Sequence, residues 1–431
     1  MQYKNKVVKN SAWIIACKVA QSVIGLVVSM FTARYLGPSN YGLINYASSL
    51  VAFFVPLMYL GLNSILVQEI VIKPQKEGET LGTALTMSLV SSLFCILGVF
   101  AFTTIVNAGE KDTIIVCVLY SILLIFQAVE ALQYWFQAKL MSKYTSLTMF
   151  AAYIITALYK IFLLASKKSI YWFAVSNALD FAIIAVVLLF IYKRLGTQKL
   201  SFSPDTAKLL FSKSRYYIVS SMMVVVFGQI DRVMLKLMID EKAVGLYSAA
   251  VASAGVTYFV FAAIIDSFRP VIFESKKADH ASFEKNVSRL YSIIIYFALV
   301  QSAGIALFAE LVVKILYGEQ YLASIPALRI IVWYLAFSHM GSVRNIWILA
   351  EGKYKVLWII NLCGALTNVI LNLIFIPLWG INGAALTALI TQIFTNFILG
   401  YIIKPIRRNN TLLLKGLNPN ILIELVRKKD V

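Results

Sequence analysis

The chain has 431 residues, of which 60% are apolar and 14% charged, with a formal net charge of +19 at pH 7. So apolar a composition excludes both an ordinary soluble globular domain and a disordered chain. Four cysteines without a CxxC pair (Cys17, Cys95, Cys117, Cys363) and only two histidines (His280, His339) exclude a disulfide framework, a zinc site and a His-based metal centre.

A bilayer core of about 30 Å takes about 20 helical residues to cross. Twelve apolar runs meet that length, at 11–33, 41–66, 81–106, 113–136, 145–166, 169–192, 215–239, 244–268, 289–313, 326–350, 355–378 and 380–403. They are too long and too uniform for barrel strands, so they predict an all-α polytopic membrane protein. Span 1 follows a basic stretch but is longer than a signal core of about 7–15 residues. It also carries Lys18, and reads as a retained helix.

In span 1, Ser11, Lys18, Ser22, Gly25, Ser29 and Thr32 recur at helical spacing and define one face, with Arg34 at its end. Asn45, Ser49, Ala52, Pro56, Tyr59 and Asn63 form a similar stripe on span 2. Span 4 holds Glu130 between Gln127 and Gln137, and span 6 holds Asp180. The loop at 193–214 contains Ser203-Pro204-Asp205, a helix start with Ser as N-cap, followed by a short interfacial helix into span 7. It divides the chain into six-helix lobes at 1–192 and 215–403, with a basic tail at 404–431.

Span 7 aligns Gln229, Arg232 and Lys236, with Ser221, Gly228 and Asp231 beside them. Span 8 aligns Ser248, Ala252, Gly255, Ala262 and Asp266, and span 11 carries Asn361, Asn368 and Asn372. Small and polar stripes either pack helices closely or line a cavity. Charges are more telling, because one at mid-bilayer costs about 2.5–3.5 kcal/mol. Lys18, Arg232 and Lys236 therefore need water, a counter-ion or a ligand. Asp231 is either a counter-ion to Lys18 or Lys236 or a coupling group, and Glu130 and Asp180 are further candidates. Asp266 and Arg269 read as a local ion pair, and Arg34 as a headgroup or helix-end contact. Gly25, Pro56, Gly228 and Gly255 lie near mid-span, where bending is easiest.

Counting residues at the span ends, 27 Lys and Arg fall on the side of the termini and 6 on the other. The asymmetry explains the net charge without nucleic acid and places both termini in the cytoplasm. A weak echo between Arg34–Ala47 and the segment from Lys236 through Gly245-Leu-Tyr-Ser-Ala249 suggests a parallel repeat about an axis along the membrane normal.

Asn10-Ser-Ala-Trp13, Ala33-Arg-Tyr-Leu-Gly-Pro-Ser-Asn-Tyr-Gly42, Gly228-Gln-Ile-Asp-Arg-Val-Met-Leu235 and Leu378-Trp-Gly-Ile-Asn-Gly-Ala384 together resemble bacterial polysaccharide flippases. These belong to the multidrug/oligosaccharidyl-lipid/polysaccharide exporter superfamily. The resemblance implies twelve helices in two lobes and movement of an undecaprenyl-diphosphate-linked oligosaccharide, for O-antigen or capsule, to the periplasmic leaflet of the inner membrane. It also implies a cavity between the lobes lined by spans 1, 2, 7 and 8, the spans whose stripes and charges offer Lys18, Arg34, Arg232, Lys236, Asn45 and Asn63 as candidate substrate contacts. Expected partners are that lipid, the bilayer, polysaccharide polymerase and chain-length machinery, and a coupling ion, with no cofactor. A cation-coupled drug exporter is the nearest alternative, but the excess of Lys and Arg on these spans favours an anion. A membrane polymerase or ligase would need a large outer loop, which the sequence lacks. No Gly-rich loop with Lys-Ser/Thr signals ATP hydrolysis.

Overall fold

The computed structural model describes the backbone of residues 2–427 and the side chains of residues 20–423, and every regular element among them is helical. By contact the chain forms two compact units, Met1–Gln229 and Ile230–Val431.

The first unit opens with α1 (Gln2–Met58), which is two helices joined at Gly37, whose φ of 71° is the left-handed region. Ser29 Oγ and Tyr41 Oη are 3.0 Å apart. Twelve residues of straight helix would put them about 18 Å apart, so the chain doubles back at Gly37-Pro38. The second arm ends at Met58, because Leu60 (φ 51°) and Gly61 (φ 71°) break the helix. Asn63 lies beyond that break in a 3-10 turn, Leu62–Ser64, and so does not continue the stripe of Asn45 and Ser49. There follow α2 (Leu66–Ile72), α3 (Glu77–Val106), α4 (Lys111–Ser121), α5 (Leu123–Val129), the 3-10 turn Glu130–Leu132, α6 (Gln133–Ala138), α7 (Ser142–Ala165), α8 (Ile170–Leu195) and α9 (Pro204–Met238).

Ser203 caps α9, its Oγ accepting from Thr206 N at 3.3 Å. The short helix expected to lead into span 7 is present as the first turns of α9 and is continuous with that span. No breaker follows Pro204, and the helix runs unbroken to Met238. Ahead of α9 the chain lies as a strap across the start of α3. Gly78 N donates to Gln198 Oε1 at 3.0 Å, and Ser203 N to Thr83 Oγ1 at 3.1 Å. A Cβ on Gly82 would sit 2.5 Å from the Ser201 carbonyl oxygen, so only glycine admits the strap there. Thr206 donates to Glu79 at 2.5 Å, while Lys139 and Lys213 reach Glu77 and Glu69 at 2.6 Å each.

The second unit continues with α10 (Glu241–Ala254), the 3-10 turn Gly255–Thr257, α11 (Tyr258–Ala278), α12 (His280–Leu307), α13 (Ala309–Leu316), α14 (Ile325–Ala350) and α15 (Lys355–Ile393). A π-helix, Phe394–Ile398, then leads to α16 (Leu399–Ile402), α17 (Arg407–Gly416) and α18 (Pro419–Arg427). Asp240 and Asp279 cap α10 and α12 by accepting from Ala243 N and Ser282 N at 2.7 and 2.9 Å. Within α15, Gly380 (φ 57°) reverses the chain so tightly that a Cβ on Gly383 would collide with the Phe375 carbonyl. Phe261, Tyr291, Trp347 and Leu412, from α11, α12, α14 and α17, share one buried cluster. The tail as far as α17 is thus part of the fold.

Ten helical stretches among the described residues are long and apolar enough to cross a bilayer. Two of them, Ala20–Met58 and Lys355–Ile402, contain the reversals at Gly37 and Gly380. Counted as pairs, they recover the twelve spans. Phe94, Ile105, Val300 and Leu307 are among the most exposed apolar residues, at 69%, 77%, 72% and 75%. Such surfaces are stable in lipid and not in water.

Candidate functional site

Three helices, α9, α10 and α15, bring polar side chains of the second unit together inside apolar surroundings. Asp231 on α9 is 8% exposed. Tyr247 on α10 donates to its Oδ2 at 2.7 Å, and Asn372 on α15 to its Oδ1 at 2.7 Å. The Asn372 amide also reaches Asn368 Oδ1 at 2.9 Å, one helical turn away. Two donors on a buried carboxylate make charge-assisted bonds, about twice as strong as neutral ones. Asn372 Oδ1 is buried with no hydrogen-bond partner. The group is rich in hard oxygen donors, which suit a proton or a hard cation over a soft metal. Among the described residues no cluster of three or more His, Cys, Asp or Glu could hold a metal.

Asp231 therefore bonds to α10 and α15, and not to Lys236. Lys236 pairs with Glu241 at 2.9 Å, a contact made by the short turn between α9 and α10. Arg232 is half-buried and donates through Nε to Ser248 Oγ at 3.1 Å. Asp266 pairs with Arg269 at 2.9 Å on the surface, the local pair read from the sequence.

In the first unit, Lys18 lies on α1 outside the described side chains, and Arg34 is exposed. Asn45 donates back to the Tyr41 carbonyl at 2.8 Å, a bond within its own helix. Ser49 donates to Gln229 at 3.1 Å. Asn63 keeps a buried, unpartnered Oδ1. Of the mid-span breakers, Gly25 serves close packing, because a Cβ there would collide with the Tyr153 hydroxyl. Gly228 and Gly255 face open space, and Gly255 begins the 3-10 turn that interrupts span 8. Pro56 leaves α1 helical to Met58.

Asp180 and Glu130 belong to a second polar group. Asp180 lines a cavity of about 100 Å³ with Tyr120, Tyr153, Thr156, Lys160 and Asn177. Lys160 donates to Asn177 Oδ1 at 3.0 Å. Asp180 Oδ1 and Thr156 Oγ1 are buried without partners, and Glu130 is near enough to Asp180 for the two to repel. Lys160 lies on none of the polar stripes, although a lone lysine in an apolar run is signal enough. Nor does Arg344 on α14, 4% exposed, which donates to the Thr395 carbonyl at 2.6 Å. That carbonyl lies in the π-helix, where the usual i−4 ladder is disturbed.

Comparison with known proteins agrees with this architecture. The family described as "Polysaccharide biosynthesis protein" matches residues 7–276. The capsular polysaccharide biosynthesis protein CapF of Staphylococcus aureus is 23% identical over 398 residues, covering 89% of this chain and 96% of CapF. The uncharacterized membrane protein MJ1068 of Methanocaldococcus jannaschii is 27% identical over 247 residues, 53% of this chain; the match spans about half, 48%, of that protein. Among solved structures, the lipid II flippase MurJ in an inward closed conformation superposes with a TM-score of 0.72 at 16% identity, covering 97% of this chain and 93% of MurJ. An inward-facing multidrug resistance MATE family transporter of the MOP superfamily superposes with a TM-score of 0.70 at 15% identity, covering 92% of this chain and 96% of that one. At these identities the two structures show a shared fold. With a match over more than half its length, the chain belongs to the polysaccharide biosynthesis protein family.

Proposed function

We propose that the protein is a flippase, not an enzyme, which moves an undecaprenyl-diphosphate-linked oligosaccharide from the cytoplasmic to the periplasmic leaflet by alternating access. Its setting is the bacterial cytoplasmic membrane, with both termini cytoplasmic and lobes at 1–192 and 215–403. One observation carries the reading: a chain of a polysaccharide biosynthesis family places Arg232, beside Asp231, within an apolar membrane-crossing helix. A diphosphate is the anion that such a side chain would meet in a lipid-linked sugar, and guanidinium binds phosphate in bidentate fashion. Lys18 and Arg34 on α1 complete the cationic set, while Lys236, held by Glu241, tunes the field around it.

Asp231, with Tyr247, Asn368 and Asn372, supplies the coupling group in this proposal. Bending at the Gly255 turn accompanies the change of state. A drug/cation exporter shares the fold, but acidic side chains should then dominate near Arg232, and Asp231 is already bonded to α10 and α15.

The test is translocation of a lipid-linked oligosaccharide in proteoliposomes. Losing one charge-assisted contact of about 1.5–3 kcal/mol should cut apparent affinity roughly 10- to 150-fold for Arg232→Gln. Unaltered translocation by the Lys18→Gln/Arg232→Gln double variant would remove the anionic-substrate reading.

A further inference from the structure

We propose that the second unit carries a binding site for the phosphate of an anionic phospholipid headgroup, formed by the first turns of α12 and the docked tail helices α17 and α18. A cleft of about 320 Å³ there is lined by Glu284, Lys285, Ser288, Arg289, Lys415 and Ile421. Spacing of three and four residues puts the α12 members on one face of that helix. The opposite wall is fixed. A Cβ on Gly416 would lie 2.7 Å from Tyr291 Cβ, Tyr291 donates to Asn409 Oδ1 at 3.0 Å, and Tyr296 donates to the Leu417 carbonyl at 2.7 Å.

The charges in this cleft are unbalanced. Among the described residues its one carboxylate, Glu284, is taken up by Arg408, whose Nε and Nη2 both donate at 2.5 Å, with His280 3.6 Å away and Lys415 close enough to feel its charge. Among the described residues Lys285 and Lys415 have no ion pair or hydrogen bond. Arg289 has only a 3.5 Å contact to Asn286. Ser288 is 4% exposed, and its Oγ is buried without a hydrogen-bond partner. Three cations, an unused hydroxyl and the apolar wall of Ile421 together suit a phosphodiester attached to something greasy.

Location decides between lipid and free phosphate. The apolar run of span 9 begins at Arg289, so the cleft sits where α12 enters the hydrocarbon. α18, which supplies Ile421 to the cleft, also exposes Ile423 at 45%. A basic pocket at this depth meets lipid headgroups before any solute.

Full-length protein in detergent, titrated with short-chain phosphatidylglycerol and read by native mass spectrometry, tests the assignment. Lys285→Gln/Arg289→Gln/Lys415→Gln should weaken retention of the lipid by roughly 100-fold, at about fivefold per cation. Lys111→Gln/Lys167→Gln/Lys168→Gln removes the same charge from exposed positions of the other unit and should leave retention intact. If the first triple variant does not fold, Lys285→Gln and Lys415→Gln alone, both at exposed positions, should each weaken binding about fivefold. Equal retention by the triple variant, equal retention of phosphatidylcholine, or displacement of the lipid by millimolar inorganic phosphate would each overturn the proposal.

Discussion

Removing the Tyr247 hydroxyl takes one of two donors from the buried Asp231 carboxylate, and the structure sets what this should cost. The bond is 2.7 Å long between residues 2% and 8% exposed, so no water replaces the lost donor. Charge-assisted bonds in soluble proteins are worth about 1.5–3 kcal/mol. Interhelical bonds in membranes average about 0.6 and reach about 1.7 kcal/mol, because the unfolded chain in lipid also finds partners. Tyr247→Phe should therefore cost about 1–2 kcal/mol, a fall of roughly 5- to 30-fold in the folded-to-unfolded ratio. Asp231→Ala should cost more, about 2–6 kcal/mol, because it strands both the Tyr247 hydroxyl and the Asn372 amide at about 1–3 kcal/mol each. The double variant no longer has a stranded hydroxyl and should lie about 1–3 kcal/mol below the sum of the singles. Denaturation in mixed SDS micelles, followed by tryptophan fluorescence, measures all three. Additivity within about 0.5 kcal/mol would show that the two groups do not interact, and would refute the cluster as described.

In a cysteine-free background, a cysteine at Lys199 should be labelled only from the cytoplasm and one at Ala108 only from the periplasm. Ala108 is the better probe, because neighbouring Asn107 is 4% exposed and accepts from Tyr46 at 2.9 Å; the reverse pattern would invert the topology. Gly82→Val should dislodge the strap at a cost of about 1–3 kcal/mol and expose residues 196–203 to protease, whereas an unchanged cleavage pattern would mean that the strap yields freely. Burial pushes the Glu351 carboxyl up, but its contacts with Lys276 and, at 3.4 Å, Lys353 outweigh this and hold it below the ordinary range. That stabilisation is complete above the ordinary Glu value of about 4.3 and is lost as pH falls through the lower folded value. Glu351→Gln should flatten the loss of stability between about pH 5 and 3; an unchanged slope would exclude the contribution.

Length and apolarity made the twelve spans legible, and the Ser203 cap and the Asp266–Arg269 pair followed from local spacing. Periodicity names a face but not what the face meets. Asn368 and Asn372 could be seen to share a line, yet their partner Asp231 lies 141 and 137 positions away from Asn372 and Asn368, on another helix. Lys236 read as a charge needing water, a counter-ion or a ligand; that Glu241 is the counter-ion emerges only once the turn capped by Asp240 is folded. The sequence marks 404–431 only as a basic tail. Its core contribution rests on Ile406, Leu412 and Leu413, three residues in a polar stretch that only packing on its neighbours reveals. Lys160 and Arg344 were visible but unread, since neither falls on a stripe.

The glycine reversals at 37 and 380 have a consequence for how such chains vary and how they can be tagged. Each joins two membrane-crossing helices with almost no intervening residues. One inserted residue would turn the following helix by about 100°, carrying Tyr41 away from Ser29 and Ser49 away from Gln229. Length is therefore quantised at these two corners, and homologous chains that differ in size must place the difference elsewhere. The corner at Ala108-Gly109 is the opposite case, exposed and with nothing within 4 Å of a Cβ on Gly109. An epitope belongs there.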